Sequence, residues 1–295
     1  MSSPVPGRSD ELVQHFGYEG LRSFGQTQLA GARLPEASAM FLRGTGVPVG
    51  VAPYFRAPLV NEAVGLGVFA SRSQKPRPHA VMESWPRIGF DGLGHLCVRP
   101  DGAVQAVFLS NVVDDMFVNT DVMALSASLL ALDRAQPLIV AASGLGEAAA
   151  VFRELSTELR QIDGAAWENR ESWWPRVLDD VRHTLNFPFS AAFEYVDDAG
   201  AKQVVTQVTG PGMPHPEEMV WRRLSGQGVR AEQVCRVYCE LEACLMPGHY
   251  CAVWMQEVFP HAEFTHSFGY GETAESRESG LKELIKQAAE QARRG

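Results

Sequence analysis

The sequence predicts two domains: an N-terminal α+β domain over residues 1–184 and a C-terminal α/β domain, a sheet with helices packed on it, over residues 185–295. Three observations lead there. The chain of 295 residues is long for one hydrophobic core and comfortable for two. The first half sets short alternating segments around Asp-Gly pairs between helical stretches. Around NFPFS the pattern changes, and the remaining 110 or so residues read β-β-α-β-α-β-α.

The first half begins its helices with LPEASAMFLRGTGVP, which ends near Gly44 to Gly46 because Pro48 cannot continue it. RIGF, HLCVRP and AVQAVFLS alternate apolar and polar residues around FDGLG and RPDGAV, which predicts a β-meander. DVMALSASLLALDRA carries Val122, Met123, Leu125, Leu129, Leu130 and Leu132 at helical spacing. EAAAVFRELSTELRQID continues as helix, and the tryptophan-rich AAWENRESWWPRVLDDVRHTL closes the half.

In the second half SAAFEYV and KQVVTQVTG flank DDAGA as a hairpin. PGMPHPEEMVWRRLSGQG is a helix closed by Gly226 and Gly228, and VCRVYCEL is a strand. HYCAVWMQEVF is a short helix, AEFTHSFGY a strand, and GLKELIKQAAEQARR a helix with its basic residues late, where the helix dipole favours them. Cys235 and Cys239 fall on one face of the third strand and read as buried apolar side chains.

Composition narrows the function classes. Apolar residues make up 45% and charged residues 21%, and the formal charge of −9 argues against a broad basic surface for nucleic-acid phosphates. The opening MSSPVPGRSDELVQHFGYEG lacks the basic start and apolar run of a leader, and no apolar run reads as long enough to span a bilayer. No membrane partner is expected. Five cysteines, four of them within residues 235–251, point to metal binding or catalysis in a reducing cytoplasm rather than to a disulfide framework.

The chemistry concentrates in PHPEEM and CELEACLMPGHYC. Pro216 marks the first helical position, so His215 sits at or near the N-cap and Glu217 in the first turn. Alone, H-x-E is equally a surface cap with a dipole partner. Downstream, a strand delivers Cys244, and Cys251 opens the next helix. One imidazole and two thiolates make a tetrahedral zinc site with one position open to water. Cys239 and His249 stand as alternative ligands, and a thiol switch using Cys239 and Cys244 is a further reading of the same stretch.

The order of hairpin, H-x-E helix, strand, Cys-bearing helix, strand and helix resembles the cytidine-deaminase-like superfamily, more narrowly the bacterial toxin-type nucleic acid and nucleotide deaminases. That resemblance implies an α/β/α sandwich with a mixed sheet. It implies Zn2+ held by His215, Cys244 and Cys251, with Glu217 as general acid/base for a zinc-activated hydroxide. Two departures stand in YCELEACLMPGHYC: Ala243 replaces the usual proline, and six residues instead of two separate the cysteines. Phe268 and Tyr270, near the mouth of such a site, are candidates to stack on a base.

In the first half, WPRIGFDGLGHLCVRPDGAV followed by FVNTDVMAL resembles the SUKH superfamily of bacterial immunity proteins and related binding modules. The resembling features are Trp85, Ile88-Gly89, the Asp-Gly turn and FVNTD leading into a helix. It implies a non-enzymatic α+β domain with a protein partner. Asp91 reads as a turn residue.

Together these readings give a cytoplasmic zinc-dependent deaminase acting on a nucleobase in nucleic acid or nucleotide, with cytosine favoured over adenine by analogy. From residue 186 onward 10 basic residues face 15 acidic ones, which favours a short, free or protein-presented substrate over a long single strand. The rival is a non-catalytic binding or immunity-type protein carrying a degenerate deaminase-like scaffold.

Overall fold

The computed structural model describes residues 8–110, 112–186, 188–271 and 273–294. The first seven residues of the stretch that reads as leaderless lie outside them. Two compact units emerge: one takes the chain up to Leu138 and again Ala150–Val177, the other takes Ile139–Ala149 and the chain from Leu178 on.

The first unit runs through α1 (Arg8–Phe16), β1 (Leu21–Arg22), α2 (Glu36–Gly44), β2 (Val47–Pro48), β3 (Gly50–Val51), β4 (Phe55–Arg56) and α3 (Leu66–Arg72). It continues with β5 (Arg87–Phe90), β6 (His95–Val98), β7 (Val104–Val107), β8 (Met116–Asn119), and the larger parts of α4 (Val122–Ala141) and α5 (Leu145–Ile162), then the start of α6 (Trp173–Asn186), whose residues from Leu178 on belong to the second unit. The expected meander is the centre of a larger antiparallel sheet in chain order, β3-β4-β5-β6-β7-β8. Gly89 lies where the β5–β6 register shifts, and a Cβ there would stand 2.1 Å from the Phe55 ring. Only glycine leaves room for the Phe55 ring of β4 against β5.

Buried polar groups tie α6 to this sheet. Trp173 Nε1 donates to Asp91 Oδ2 at 2.7 Å, while Asp91 Oδ1 accepts from the Gly94 amide at 2.6 Å. Trp174 Nε1 donates to Asn119 Oδ1 at 2.8 Å, and Asn119 Nδ2 donates to Asp163 Oδ2 at 3.0 Å. Asp91 therefore closes its turn and also accepts an indole proton. Asp121 caps α4 through the Met123 and Ala124 amides at 2.8 and 2.7 Å.

α4 is longer than the sequence pattern implies, because it runs through Pro137 to Ala141. At 20 residues it is long and apolar enough to cross a membrane by length and composition, contrary to the expectation that no run is, yet most of it is buried. Val122, Leu125, Leu129 and Leu132 are inaccessible to solvent, as in the core helix of a folded domain.

The second unit contains β9 (Ser190–Val196), β10 (Lys202–Val208), α7 (Pro216–Gly226), β11 (Val234–Leu241), α8 (Cys251–Val258), β12 (Glu263–Phe268) and α9 (Ala274–Arg294). Its sheet is mixed, in the order β10-β9-β11-β12, with β11 and β12 parallel and the other pairs antiparallel. Parallel neighbours need a crossover, and α8 supplies it. Ala191, Phe193, Val237 and Leu241 from the strands join Val220 and Leu224 of α7, Met255 of α8, Phe259, and Leu281 and Leu284 of α9 in one core. Burying each large side chain contributes about 1.5–3 kcal/mol.

One strand expectation fails. β11 shifts register between Val234 and Arg236, so Cys235 does not share a buried face with Cys239. The bulge turns Cys235 out to a half-buried position with its thiol 3.4 Å from the Glu194 carbonyl, whereas Cys239 is buried.

His95 on β6 makes the first unit acid-sensitive. Its ring lies against Phe69 at 4.7 Å and Phe90 at 5.3 Å, and Nδ1 is buried with no partner. Burial, reinforced by the charges of Arg87 and Lys75, pushes its pKa down to about 3. The unfolded chain therefore binds a proton that the folded chain refuses, and stability falls as pH drops from about 6.5 towards 3, by at most about 1.4 kcal/mol per pH unit. His95→Leu is expected to flatten the acid side of the melting-temperature profile between pH 7 and 4. Parallel profiles for parent and variant would contradict this.

Candidate metal centre

The site lies past the C-terminal ends of the two parallel strands, the usual place for a ligand in an open sheet with crossover helices. β11 ends at Leu241, opposite Phe268 of β12, and the Glu242 amide donates to the Phe268 carbonyl at 2.8 Å. Cys244 follows two residues later.

His215 is the N-cap of α7, with φ −60° and ψ 147°, and Pro216 takes the first helical position. The capping acceptor is Glu218, whose carboxylate receives the His215 amide at 3.3 Å. Thr209 Oγ1 donates to the Pro214 carbonyl at 3.0 Å and fixes the approach. The imidazole is thus left for other work. Both His215 and Glu217 are buried, at 2% exposure each.

The LMPGHY loop folds back tightly. The Met246 carbonyl accepts the His249 and Tyr250 amides at 3.1 and 3.0 Å, and Gly248 turns at φ +85°. Tyr250 sits in the left-handed region at φ 45° as it hands the chain to α8. The Ala252 amide then donates to the Cys244 carbonyl at 3.1 Å, clamping the start of α8 to the first cysteine. Met246 and Tyr250 are buried and anchor the loop. The long cysteine spacing is closed by the backbone.

His215 Nδ1 lies 3.4 Å from Cys244 Sγ and 3.5 Å from Cys251 Sγ, and the three ligand atoms fall within 4.8 Å of one another. A nitrogen about 2.05 Å and a sulfur about 2.3 Å from one tetrahedral ion stand about 3.6 Å apart, so both nitrogen–sulfur separations match those of a zinc site. The other ring nitrogen, Nε2, meets Asp180 Oδ1 at 2.8 Å.

Around this centre the charges are matched. Burial opposes a thiolate at Cys244, but hydrogen bonding from Cys251 and the charge of His215 outweigh it and hold Cys244 well below the usual thiol range. Cys251, buried beside that charge, is held well above it. Burial likewise disfavours a charged His215, yet Cys244 and Asp180 raise its pKa well above the ordinary value. A divalent ion bound between these groups would displace the protons that remain on them.

The carboxylate of Glu217 meets the Cys239 thiol, while its Oε2 is buried with no hydrogen-bond partner among the described residues. Burial raises its pKa, against the lowering effect of His215. A buried carboxyl oxygen without a partner beside a ligand cluster is a position of the kind where reactive groups concentrate.

The alternative ligands stand apart from the two sulfurs, and His249 joins His215 and Asp180 in a second group whose ligand atoms lie within 4.8 Å of one another. Cys239 packs in the core against Glu217, and His249 stands outside the sulfur cluster. Its ring stacks on His215 at 3.8 Å and 6°, its Nε2 lies 3.3 Å from Asp180 Oδ2, and its Nδ1 lies 3.2 Å from Glu218. Tyr270 is buried in the core with its amide on Glu242 at 2.9 Å, and Phe268 is partly buried at the end of β12. Sequence reasoning missed Asp180. Its signal is faint: an acidic residue on a helix otherwise read as closing the first domain.

The buried Glu217 carboxyl gives a thermodynamic signature. With a raised folded pKa, its contribution to stability is complete below its ordinary value of about 4.5 and is lost as pH rises through the folded value. In metal-free protein, Glu217→Gln is expected to melt close to the parent at pH 5 and above it at pH 8. A variant that loses ground to the parent between pH 5 and pH 8 would contradict this.

Comparison with known proteins agrees with this architecture. A family model described as Xanthomonas-like deaminase matches residues 188–287, which hold His215, Glu217, Cys244 and Cys251. A second, described as SUKH-4 immunity protein, matches residues 8–180. No curated protein and no solved structure matches the chain. With more than half of its length matched by that second model, the chain belongs to the SUKH-4 immunity protein family and carries a Xanthomonas-like deaminase domain behind it.

Proposed function

We propose that the chain is a zinc-dependent hydrolytic deaminase acting on a nucleobase in nucleic acid or nucleotide, cytosine more readily than adenine. On this reading residues 185–295 form the enzyme and residues 1–184 a domain that binds a protein partner. The observation that carries it is the convergence of His215 Nδ1 with the sulfurs of Cys244 and Cys251, beside a buried Glu217 oxygen that has no partner.

His215, Cys244 and Cys251 would hold the zinc, which when bound supplies the Lewis acidity that makes water a nucleophile near neutral pH. Glu217 does the proton work. Its carboxylate takes a proton from the attacking water, delivers it to the ring nitrogen of the base, and carries a second to the departing amine. A raised pKa suits a group that must both accept and release protons. Phe268, partly exposed at the end of β12, is the candidate to stack on the base, and Tyr270, buried nearby, to shape the wall behind it. The reading is of a cytoplasmic protein, and five reduced cysteines support it.

A second reading has its own support. The immunity-family match covers more than half the chain, which favours a binding protein whose deaminase-like part is inactive. Metal content and turnover separate the two. Freshly purified protein is expected to hold about one zinc per chain, lost in Cys244→Ala, Cys251→Ala. Glu217→Gln is expected to keep the zinc and slow deamination by about a hundred- to ten-thousandfold across a panel of nucleosides, nucleotides and single- and double-stranded DNA and RNA. Protein without zinc, or a Glu217→Gln variant as fast as the parent, sinks the enzyme reading.

A further inference from the structure

Asp180 lies eight residues before the first residue matched by the deaminase family and is the last residue matched by the immunity family. It sits in the part of α6 that belongs to the second unit. Its side chain is 2% exposed, and its two oxygens meet two different imidazoles, His215 Nε2 at 2.8 Å and His249 Nε2 at 3.3 Å. His249 in turn comes from the six residues between the cysteines, and lies flat against His215 with Glu218 on its far nitrogen.

We propose that Asp180 and His249 are positioning residues for the metal-binding imidazole of His215, and that the lengthened loop between Cys244 and Cys251 serves to bring His249 there. This rests on the reading of His215 as a zinc ligand. A neutral imidazole has one N–H, and a carboxylate can only accept. Asp180 therefore holds that proton on Nε2 and leaves the Nδ1 lone pair facing the two sulfurs. A single hydrogen bond still allows the ring to tilt about its bond axis. The parallel face of His249, tethered to Asp180 and Glu218, removes that freedom. The brace comes from outside the deaminase match on one side and from its inserted loop on the other. The departure from the usual cysteine spacing is thus the source of a support rather than a sign of decay.

The test uses the full chain and reads metal binding rather than turnover. Zinc affinity is measured by competition with a chromophoric chelator, and the geometry by visible absorption of the Co2+ form. Asp180→Asn, whose amide offers hydrogens to Nε2 and so favours the wrong tautomer, is expected to weaken zinc binding about ten- to a hundredfold and to shift the Co2+ bands. His249→Ala is expected to weaken it several-fold, and His249→Phe, which keeps the stacked face, less than that. A role in folding alone would lower the melting temperature of the metal-free protein without changing the Co2+ spectrum of the folded fraction. Should Asp180→Asn not fold, Asp180→Glu retains the charge with altered reach and is expected to fall between the parent and His215→Ala. Affinities within twofold of the parent and unchanged Co2+ bands in the Asp180 and His249 variants overturn the proposal. Failure of the zinc reading itself looks different: the parent binds no metal, or His215→Ala binds as well as the parent.

Discussion

One buried line of polar atoms organises the second unit: a carboxylate of Asp180, both nitrogens of His215, and the sulfurs of Cys244 and Cys251. Taking these groups out of water is costly unless each finds a partner of opposite sign or a hydrogen bond. The fold meets that demand by bringing two helix starts and the middle of α6 to the same edge of the sheet. β11 and β12 run parallel, so the loops that leave them open on one side, and α7 and α8 begin there. The backbone clamp between Ala252 and Cys244 then fixes the second sulfur relative to the first.

The buried polar groups of the first unit behave differently. Asp91, Asn119 and Asp163 accept from Trp173, Trp174 and backbone amides, and they hold a helix to a sheet. That network specifies structure. Around His215 the buried groups are paired with one another, while Oε2 of the neighbouring Glu217 has no hydrogen-bond partner among the described residues. On the proposed reading the first of these networks holds a binding domain together, and the second supports a reacting group.

Much of this was legible in the sequence, for identifiable reasons. Pro216 announces a helix start, so His215 and Glu217 could be placed within a residue of their positions. The Asp-Gly turns marked β5, β6 and β7, because tight turns demand particular residues. The two-residue strands β1 to β4 left no periodicity to read. Cys235 was misplaced because a bulge adds a residue without changing the alternation of residue types. Asp180 was out of reach for a different cause, and His249 was legible only as an alternative metal ligand, not as the neighbour of Asp180 and Glu218. Each acts through a contact spanning more than thirty residues, His215 to Asp180 across 35 and His249 to Glu218 across 31, and neither bears a local motif.

The central claim is that one imidazole and two thiolates of this chain share a metal ion. X-ray absorption at the zinc edge of the purified protein tests it most directly. The account predicts two sulfur neighbours at about 2.3 Å with the remaining neighbours nitrogen or oxygen at about 2.0–2.1 Å. A first shell without sulfur, or with three or more sulfurs, would contradict it.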